Sequence, residues 1–345
     1  QLKTDIEING SDIYVGQNVT FNITTSANIT EVITVNVANN NGGLIYNCDV
    51  MNLNALDNAS IDIIVSNNSN ITFGGLVASN LGVITNSRVG RREFKDVDAV
   101  NDTYTNATLG GLEFVLGSEL KSGFDAVAGG FVGENSGTIS SSYFSNSSLV
   151  NYSNSNETNI TAGFAGKNNF GASIVYSYVK AKEITITSVQ PNSTGNRIEN
   201  KSNGIVAGYV YENAGIITDS YANTELYTDS TYMSGFVYEN LSGGEIRRSY
   251  AACTMKKESG EAQNNAQQPF VVRDNENKYL NAGTMENNYY LLNADGSGDI
   301  RQSFALALNA TNFKNPNNLQ GFVFIQSNVK EEREQGVWSH IDSKG

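Results

Sequence analysis

The chain has 345 residues and carries 35 acidic against 22 basic side chains, a net charge of -13. It is long enough for one large domain or two ordinary ones with a buried core. No cluster of Lys or Arg is present to follow a phosphate backbone, which excludes nucleic acid as a partner. No apolar run approaches the roughly 18 to 20 residues that cross a bilayer, and the chain starts at Gln1 without a basic leader, as a processed mature chain or a fragment would.

Residues 1–31 hold no repeat, yet DIYVGQNVTFNIT alternates Ile13, Val15, then Val19, Phe21 and Ile23, which predicts a strand pair or one long strand. Two uses suit it. One is a cap over the first open sheet edge; the other is a strand donated to a neighbouring copy, building a filament.

From 32 to 292 the chain repeats itself. The copies are GGLVASNLGVITNSRV (74–89), GGFVGENSGTISSSYF (129–144), AGFAGKNNFGASIVYSYV (162–179), AGYVYENAGIITDSYA (207–222) and SGFVYENLSGGEIRRSYA (234–251). Degenerate copies flank them, NGGLIYNCDV (41–50) in front and PFVVRDNENKYLNAGTMENNYY (269–290) behind. Each reads as a short apolar strand, a turn rich in Asn and Gly, and a second short strand in which Ile217, Asp219 and Tyr221 alternate, putting Ile and Tyr on one face. A unit of hairpin size cannot bury its own apolar face. Stacked copies bury theirs collectively, and separations of roughly 30 to 55 residues fit one or two coils of a β-solenoid per copy.

Stacking turns equivalent positions into rows. Leu76, Phe131, Phe164, Tyr209, Phe236 and Phe270 form one; Ile84, Ile139, Ile174, Ile217 and Ile246 a second; Tyr143, Tyr178, Tyr221, Tyr250 and Tyr290 a third. Gly75, Gly130, Gly163, Gly208 and Gly235 precede the large apolar residue, where a missing side chain permits a bend or a close coil. Gly82, Gly137 and Gly215 read as turn residues with positive φ. Asn80, Asn135, Asn168, Asn213 and Asn240 cap or bridge these turns, with a ligand-binding asparagine row as the rival reading.

Residues 293–345 read as a C-terminal cap, in which Phe304, Leu306 and Leu308 form a short helix or strand closing the last coil, Trp338 is buried, and EEREQ at 331–335 is a solvated loop. Asp295, Ser297 and Asp299 have the alternating oxygens of a calcium loop, but no distal Glu follows and DGSGD is also an ordinary turn. His340 is the only histidine, so the H-E-x-x-H metal motif is absent, as are the Gly-x-Ser-x-Gly elbow and the phosphate loop. A polysaccharide lyase on a β-helix would need a carboxylate cluster, and none is apparent. We therefore expect no catalytic residue and no cofactor. Cys48 and Cys253, five copies apart, would lie roughly 24 Å from each other at one coil per copy, beyond disulfide reach. Two free thiols are expected, with an intermolecular bridge as the alternative.

Asn-x-Ser/Thr sequons stand at Asn9, Asn18, Asn22, Asn28, Asn58, Asn67, Asn70, Asn101, Asn106, Asn146, Asn151, Asn156, Asn159, Asn192, Asn200, Asn240 and Asn309. Most fall between copies, as in NYSNSNETNIT at 151–161; Asn240 is the exception. Sugars are tolerated on exposed loops, so this placement predicts N-linked glycans and an extracellular or cell-surface protein.

The pattern G-[LFY]-V-x-x-N-x-G-x-I-x-x-S-Y resembles the GLUG motif, found in tandem in secreted and surface proteins of microbes and in some IgA-cleaving metallopeptidases outside their catalytic part. The resemblance covers roughly residues 32–292, and the tail, with YYLLNADGSGD, NATNF and GVW, is similar to what closes such arrays. Copies 162 and 234 carry insertions, the first copy lacks its first half, and Arg88 and Asp49 stand where Tyr is expected. The resemblance implies a β-rich array, a surface location and no enzyme. The expectation is an all-β, β-helix-like solenoid of about six to seven GLUG-type repeats, with an N-terminal strand segment at 1–31, the array at 32–292 and the cap at 293–345. Its expected role is a non-enzymatic extracellular structural glycoprotein, self-associating into a surface filament through the N-terminal strand and the solenoid edges. The alternatives are an adhesin that presents the insertions 90–127 and 145–161 to host or glycan ligands, and a non-catalytic module of a larger surface peptidase.

Overall fold

The computed structural model describes residues 20–24, 30–34, 40, 42–50, 59–63, 70–90, 112–116, 125–145, 147–151, 159–180, 197–200, 204–228, 232–256, 267–272, 278–291, 304–313, 315–322, 324–325 and 338–339. Strand dominates them. Helix among the described residues is confined to Ala310–Phe313 and a 3-10 turn at Pro316–Asn318.

The strands are short and fall into five large sheets, which we number in the order the repeat meets them. Sheet I begins at Val77–Asn80 and ends at Val237–Asn240; sheet II runs from Leu44–Tyr46 to Thr284–Glu286; sheet III from Asp49–Val50 to Ala305–Leu308. Sheet IV has Thr30–Thr34 at one edge and Thr254–Lys256 at the other, and sheet V spans Asn70–Gly74 to Gln267–Gln268. From Ala165–Asn168 in sheet I the chain passes to Ser173–Val175 in II, Tyr178–Lys180 in III, Arg197–Asn200 in IV and Ile205–Ala207 in V, then re-enters I at Val210–Asn213. The neighbouring copies make the same circuit. Pairing between circuits is parallel throughout, except where Thr20–Thr24 joins sheet IV.

The registers align like with like. Ile84, Ile139, Ile174, Ile217 and Ile246 are direct neighbours in sheet II, each wholly buried, and Ile45 and Met285 extend the row at its ends. A three-residue strand presents one side chain inward and two outward, so each sheet II strand contributes a single core residue.

Between sheets II and III the backbone turns on one left-handed residue per circuit: Asn47, Asn86, Ser141, Tyr176, Asp219, Arg248 and Asn287 all have φ between 46° and 55°. This corner corrects the expected second strand. Ile217 and Tyr221 lie on two sheets rather than on one face; beyond the corner Ser220 and Ala222 are buried, while Tyr221 is half-buried. Asn and Asp tolerate this conformation best, whereas Tyr176 and Arg248 hold it at a cost of roughly 1–2 kcal/mol each.

A second correction concerns the stretches between copies. Residues 90–127 and 145–161 are not simply exposed loops: they contribute Leu112–Leu116 and Ser147–Asn151 to sheet IV, and Asp125–Gly129 and Ile160–Ala162 to sheet V. Leu112, Phe114, Leu116, Leu149, Ile198 and Leu226 carry the core through sheet IV. Without these strands the rows of sheets I to III would have no opposing wall.

At the front, Thr20–Thr24 pairs antiparallel with Ala59–Ile63, setting Phe21 opposite Ile63 and Ile23 opposite Ile61, and Thr30–Thr34 pairs antiparallel with it in turn. The N-terminal strand thus lies on the chain's own sheet IV; Ile13, Val15 and Val19 fall outside the described residues. At the back, Ala305–Leu308 adds a strand to sheet III. Leu319 and Phe322 pack on Tyr289 outside the main core. Trp338 begins Trp338–Ser339, paired with Phe324–Ile325, and EEREQ and His340 fall outside the described residues.

Candidate functional site

The first aromatic row is realised as an unbroken stack. Ring centroids are 4.8 Å apart for Phe131–Phe164, 5.0 Å for Phe164–Tyr209, and 4.8 Å for both Tyr209–Phe236 and Phe236–Phe270. These are the sheet spacing itself, so ring stacking and strand pairing set the same distance. Tyr143, Tyr178, Tyr221 and Tyr250 stack likewise at 4.7–4.8 Å. Their next neighbour is Tyr289, not the expected Tyr290. A shift of one residue reverses a side chain's face, and Tyr290 accordingly joins the inner row of Phe144, Val179, Ala222 and Ala251. Asp49 and Arg88, standing where Tyr was expected, continue the tyrosine row as register neighbours of opposite charge.

The asparagine row is longer than the five positions expected. Each amide Nδ2 donates to the next circuit's Oδ1, from Asn40 through Asn80, Asn135, Asn168, Asn213 and Asn240 to Asn281, at 2.8–2.9 Å. In the Asn-x-Gly turns the same amide also closes its own loop: Asn135 Oδ1 accepts from the Gly137 N–H, and Nδ2 donates to the Gly137 carbonyl, both at 3.2 Å. Satisfied on both sides, the amides serve the backbone. The turn glycines have a different cause from the one expected, since Gly82, Gly137 and Gly215 are not in the positive-φ region. A Cβ on Gly137 would lie 2.0 Å from the Gly82 carbonyl oxygen, and one on Gly82 would lie 2.2 Å from that of Gly43. Close passage of the next coil demands them. Positive φ appears instead in the longer turns, at Gly42, Gly171 and Gly243.

Sequence reasoning missed a second polar row. Ser87, Ser142, Ser177, Ser220 and Ser249 are buried, each hydroxyl donating to the carbonyl two residues back at 2.8–3.0 Å and accepting an N–H from the preceding circuit at 3.1–3.4 Å. Cys48 takes the serine position in the first circuit, and Asn288 ends the row. The signal was the serine at one fixed place in every full copy, before Arg88 in the first and before Tyr143, Tyr178, Tyr221 and Tyr250 in the other four. At the corner beside it, Arg248 makes a bidentate pair with Asp219 at 2.7 and 2.8 Å, and Asn86 donates to Asn47.

The outer faces differ from one another. On sheet I, Glu134, Lys167, Glu212 and Glu239 are successive neighbours beside the stacked pair Tyr211–Tyr238. Burial, then the Glu212 charge, raises the Glu239 carboxyl; burial, then Glu212 and Glu239, pushes the Tyr211 phenol up to about 12. On sheet II the outward residues from Leu44 and Tyr46 to Ile216 and Thr218 are uncharged across five strands, with Leu44, Tyr46, Val83 and Ile216 exposed.

The sequons split by environment. Asn151, Asn159 and Asn240 are wholly buried, unlike the exposed loop positions that suit a sugar. Asn151 donates to Thr161, Asn159 accepts from the Ala126 N–H, and Asn240 is inside the asparagine row; a glycan on any of them would find no space in the folded chain. Asn22, Asn70 and Asn200 lie in strands, and exposed Asn309 caps Ala310–Phe313 by accepting the Asn312 N–H. Asn9, Asn18, Asn28, Asn58, Asn67, Asn101, Asn106, Asn146, Asn156 and Asn192 fall outside the described residues, as do Asp295, Ser297 and Asp299.

Neither cysteine is in a disulfide among the described residues. The Cys253 sulphur lies 3.1 Å from the Gly235 carbonyl oxygen, and burial pushes its thiol up to about 12. Among the described residues no group of three His, Cys, Asp or Glu is placed to hold a metal ion, and no helix is long and apolar enough to cross a membrane. No protein-family model, no curated protein and no solved structure matches the chain. The class that geometry alone defines is an all-β protein of parallel sheets with like residues in register.

Proposed function

We propose that this chain is a closed β-solenoid of GLUG-type repeats acting as a non-enzymatic, extracellular structural glycoprotein, the subunit of a surface filament. The observation that carries this reading is the directional asparagine row with open sheet edges at both of its ends. In sheet II, Leu44–Tyr46 and Thr284–Glu286 each have a neighbour on one side only among the described residues. Edge strands are templates for another chain, and a repeated coil offers edges of one direction at opposite ends. The polar rows being satisfied internally also favours a mechanical role over a ligand site. Negative-stain microscopy of the purified chain checks the reading. Fibres are expected, and monodisperse particles at all concentrations overturn it.

One observation favours the adhesin alternative. The uncharged outer face of sheet II, with exposed Leu44, Tyr46, Val83 and Ile216, is unusual on a chain of net charge -13. Glycan-array binding abolished by Tyr46→Asp and Ile216→Asp, in a chain that forms no fibres, would favour that role.

A further inference from the structure

We infer that copies of this chain join head to tail through sheets III and IV, the edge strand Thr30–Thr34 of one copy pairing parallel with Thr254–Lys256 of the next. The inference rests on the filament reading and adds to it the interface.

The argument is a count of strands at the two ends, taken among the described residues. Sheet II holds one strand for each of seven circuits, from Leu44–Tyr46 to Thr284–Glu286. Sheet III has those seven and one more, Ala305–Leu308, which projects beyond the last circuit. Sheet IV has strands from six circuits, Ala59–Ile63 to Thr254–Lys256, and two more, the hairpin of Thr20–Thr24 and Thr30–Thr34, which projects beyond the first. At the C-terminal end sheet III therefore stands two strands beyond sheet IV, and at the N-terminal end sheet IV stands two strands beyond sheet III. The two steps are equal and opposite. Brought together, they let Thr30–Thr34 continue sheet IV while Asp49–Val50 continues sheet III from Ala305–Leu308, leaving between the copies one strand position empty in sheet II, two in sheet V and three in sheet I.

Strand direction agrees. Thr20–Thr24 runs antiparallel to Ala59–Ile63, and Thr30–Thr34 antiparallel to Thr20–Thr24, so two reversals return the outer strand to the direction of every other strand in sheet IV. A single antiparallel capping strand would have ended the parallel series; a hairpin restores it. Following the register rows, Val32 aligns with Asn22, Asp62, Val115, Val150, Glu199, Tyr227 and Lys256, and Glu31 with Ile23, Ile61, Phe114, Leu149, Ile198, Leu226 and Met255. Across the join Val32 would meet Lys256, and Glu31 would meet Met255. Glu31 is thus a charge in an otherwise apolar row, where it weakens the contact and keeps assembly reversible.

The test is cysteine cross-linking of the full chain, with Cys48→Ser and Cys253→Ser as background. Val32→Cys and Lys256→Cys together should give a ladder of disulfide-linked multimers on mild oxidation, while each single variant stops at dimer. Within one chain these positions are seven strand spacings apart, about 34 Å, so no intramolecular bridge competes. Glu31→Leu should lower the concentration at which fibres appear by at least tenfold. Fibres without the Val32–Lys256 ladder, or a ladder from Leu44→Cys with Thr284→Cys instead, would overturn this join and leave the filament reading intact. Absence of fibres from the unmodified chain would remove both.

Discussion

Gly137 and Gly171 both sit in turns that follow a row asparagine, yet different physics holds them. At Gly137 the conformation is ordinary and the space is missing, because the Gly82 carbonyl occupies the position a Cβ would need. At Gly171 the space is open and the conformation is left-handed, with φ at +80°. Gly137→Ala should therefore cost more than about 3 kcal/mol or prevent folding, whereas Gly171→Ala should cost about 1–2 kcal/mol; urea denaturation of the two variants separates them. Asparagine also divides by position. Glycopeptide mapping of native material should find Asn151, Asn159 and Asn240 unmodified and Asn309 available, because only the last projects from the folded surface. A sugar on Asn240 would contradict the buried row. The need for glycine at these sites was legible in the sequence; the reason at Gly82, Gly137 and Gly215 was not, because the clashing atom belongs to another circuit.

At the scale of the element, the informative unit is the row rather than the strand. A three-residue strand has little stability of its own, and its neighbours in sequence are not its partners in the sheet. Asn213→Ala removes one donor and one acceptor from the middle of a buried chain of amides, leaving Asn240 Oδ1 without the Asn213 donor and Asn168 Nδ2 with only its 3.4 Å bond to the Ile216 carbonyl. With one group orphaned at roughly 1–3 kcal/mol and a second bond lost at about 0.5–1.5 kcal/mol, the variant should lose about 2–4 kcal/mol, read as a fall in the denaturation midpoint. The same substitution at Asn40, where the row ends, should cost about half as much, since only one cross-circuit bond is lost. Equal losses would mean that the amides act locally and not as a row. The isoleucine, phenylalanine and asparagine rows were readable from spacing because each copy offers one such residue. Tyr290 was misplaced because its neighbour Tyr289 fits the pattern as well, and only the register decides which faces outward.

Over the whole molecule, burial sets the pH response. Cys253 is held up to about 12 against an ordinary value of 9.0, and Tyr209, Tyr238, Tyr250 and Tyr289 are raised above 10.0, all chiefly by burial. In each case the folded state keeps a proton that the unfolded chain releases. Their contribution is complete below about pH 9 and is lost as pH rises through the folded values, so the melting temperature should fall steadily above pH 9–10. For the same reason Cys253 should react with iodoacetamide at pH 8 at least a hundredfold more slowly in the folded than in the urea-unfolded chain, by mass spectrometry of its peptide. A thiol that reacts equally fast in both would place Cys253 at the surface.

The sequence by itself determined that the chain repeats, which side chains meet their counterparts, and that glycine and asparagine carry the turns, because each of these follows from one residue type recurring at a fixed offset. Tertiary structure alone decided the five-sheet circuit, the corner that divides Ile217 from Tyr221, and the burial of Asn151 and Asn159. The division has one cause. Rows connect equivalent positions in different circuits and so leave a periodic mark, whereas the strands of sheets IV and V arise from stretches of unequal length and composition between copies, whose place in the wall is set by pairing with neighbours distant in the chain.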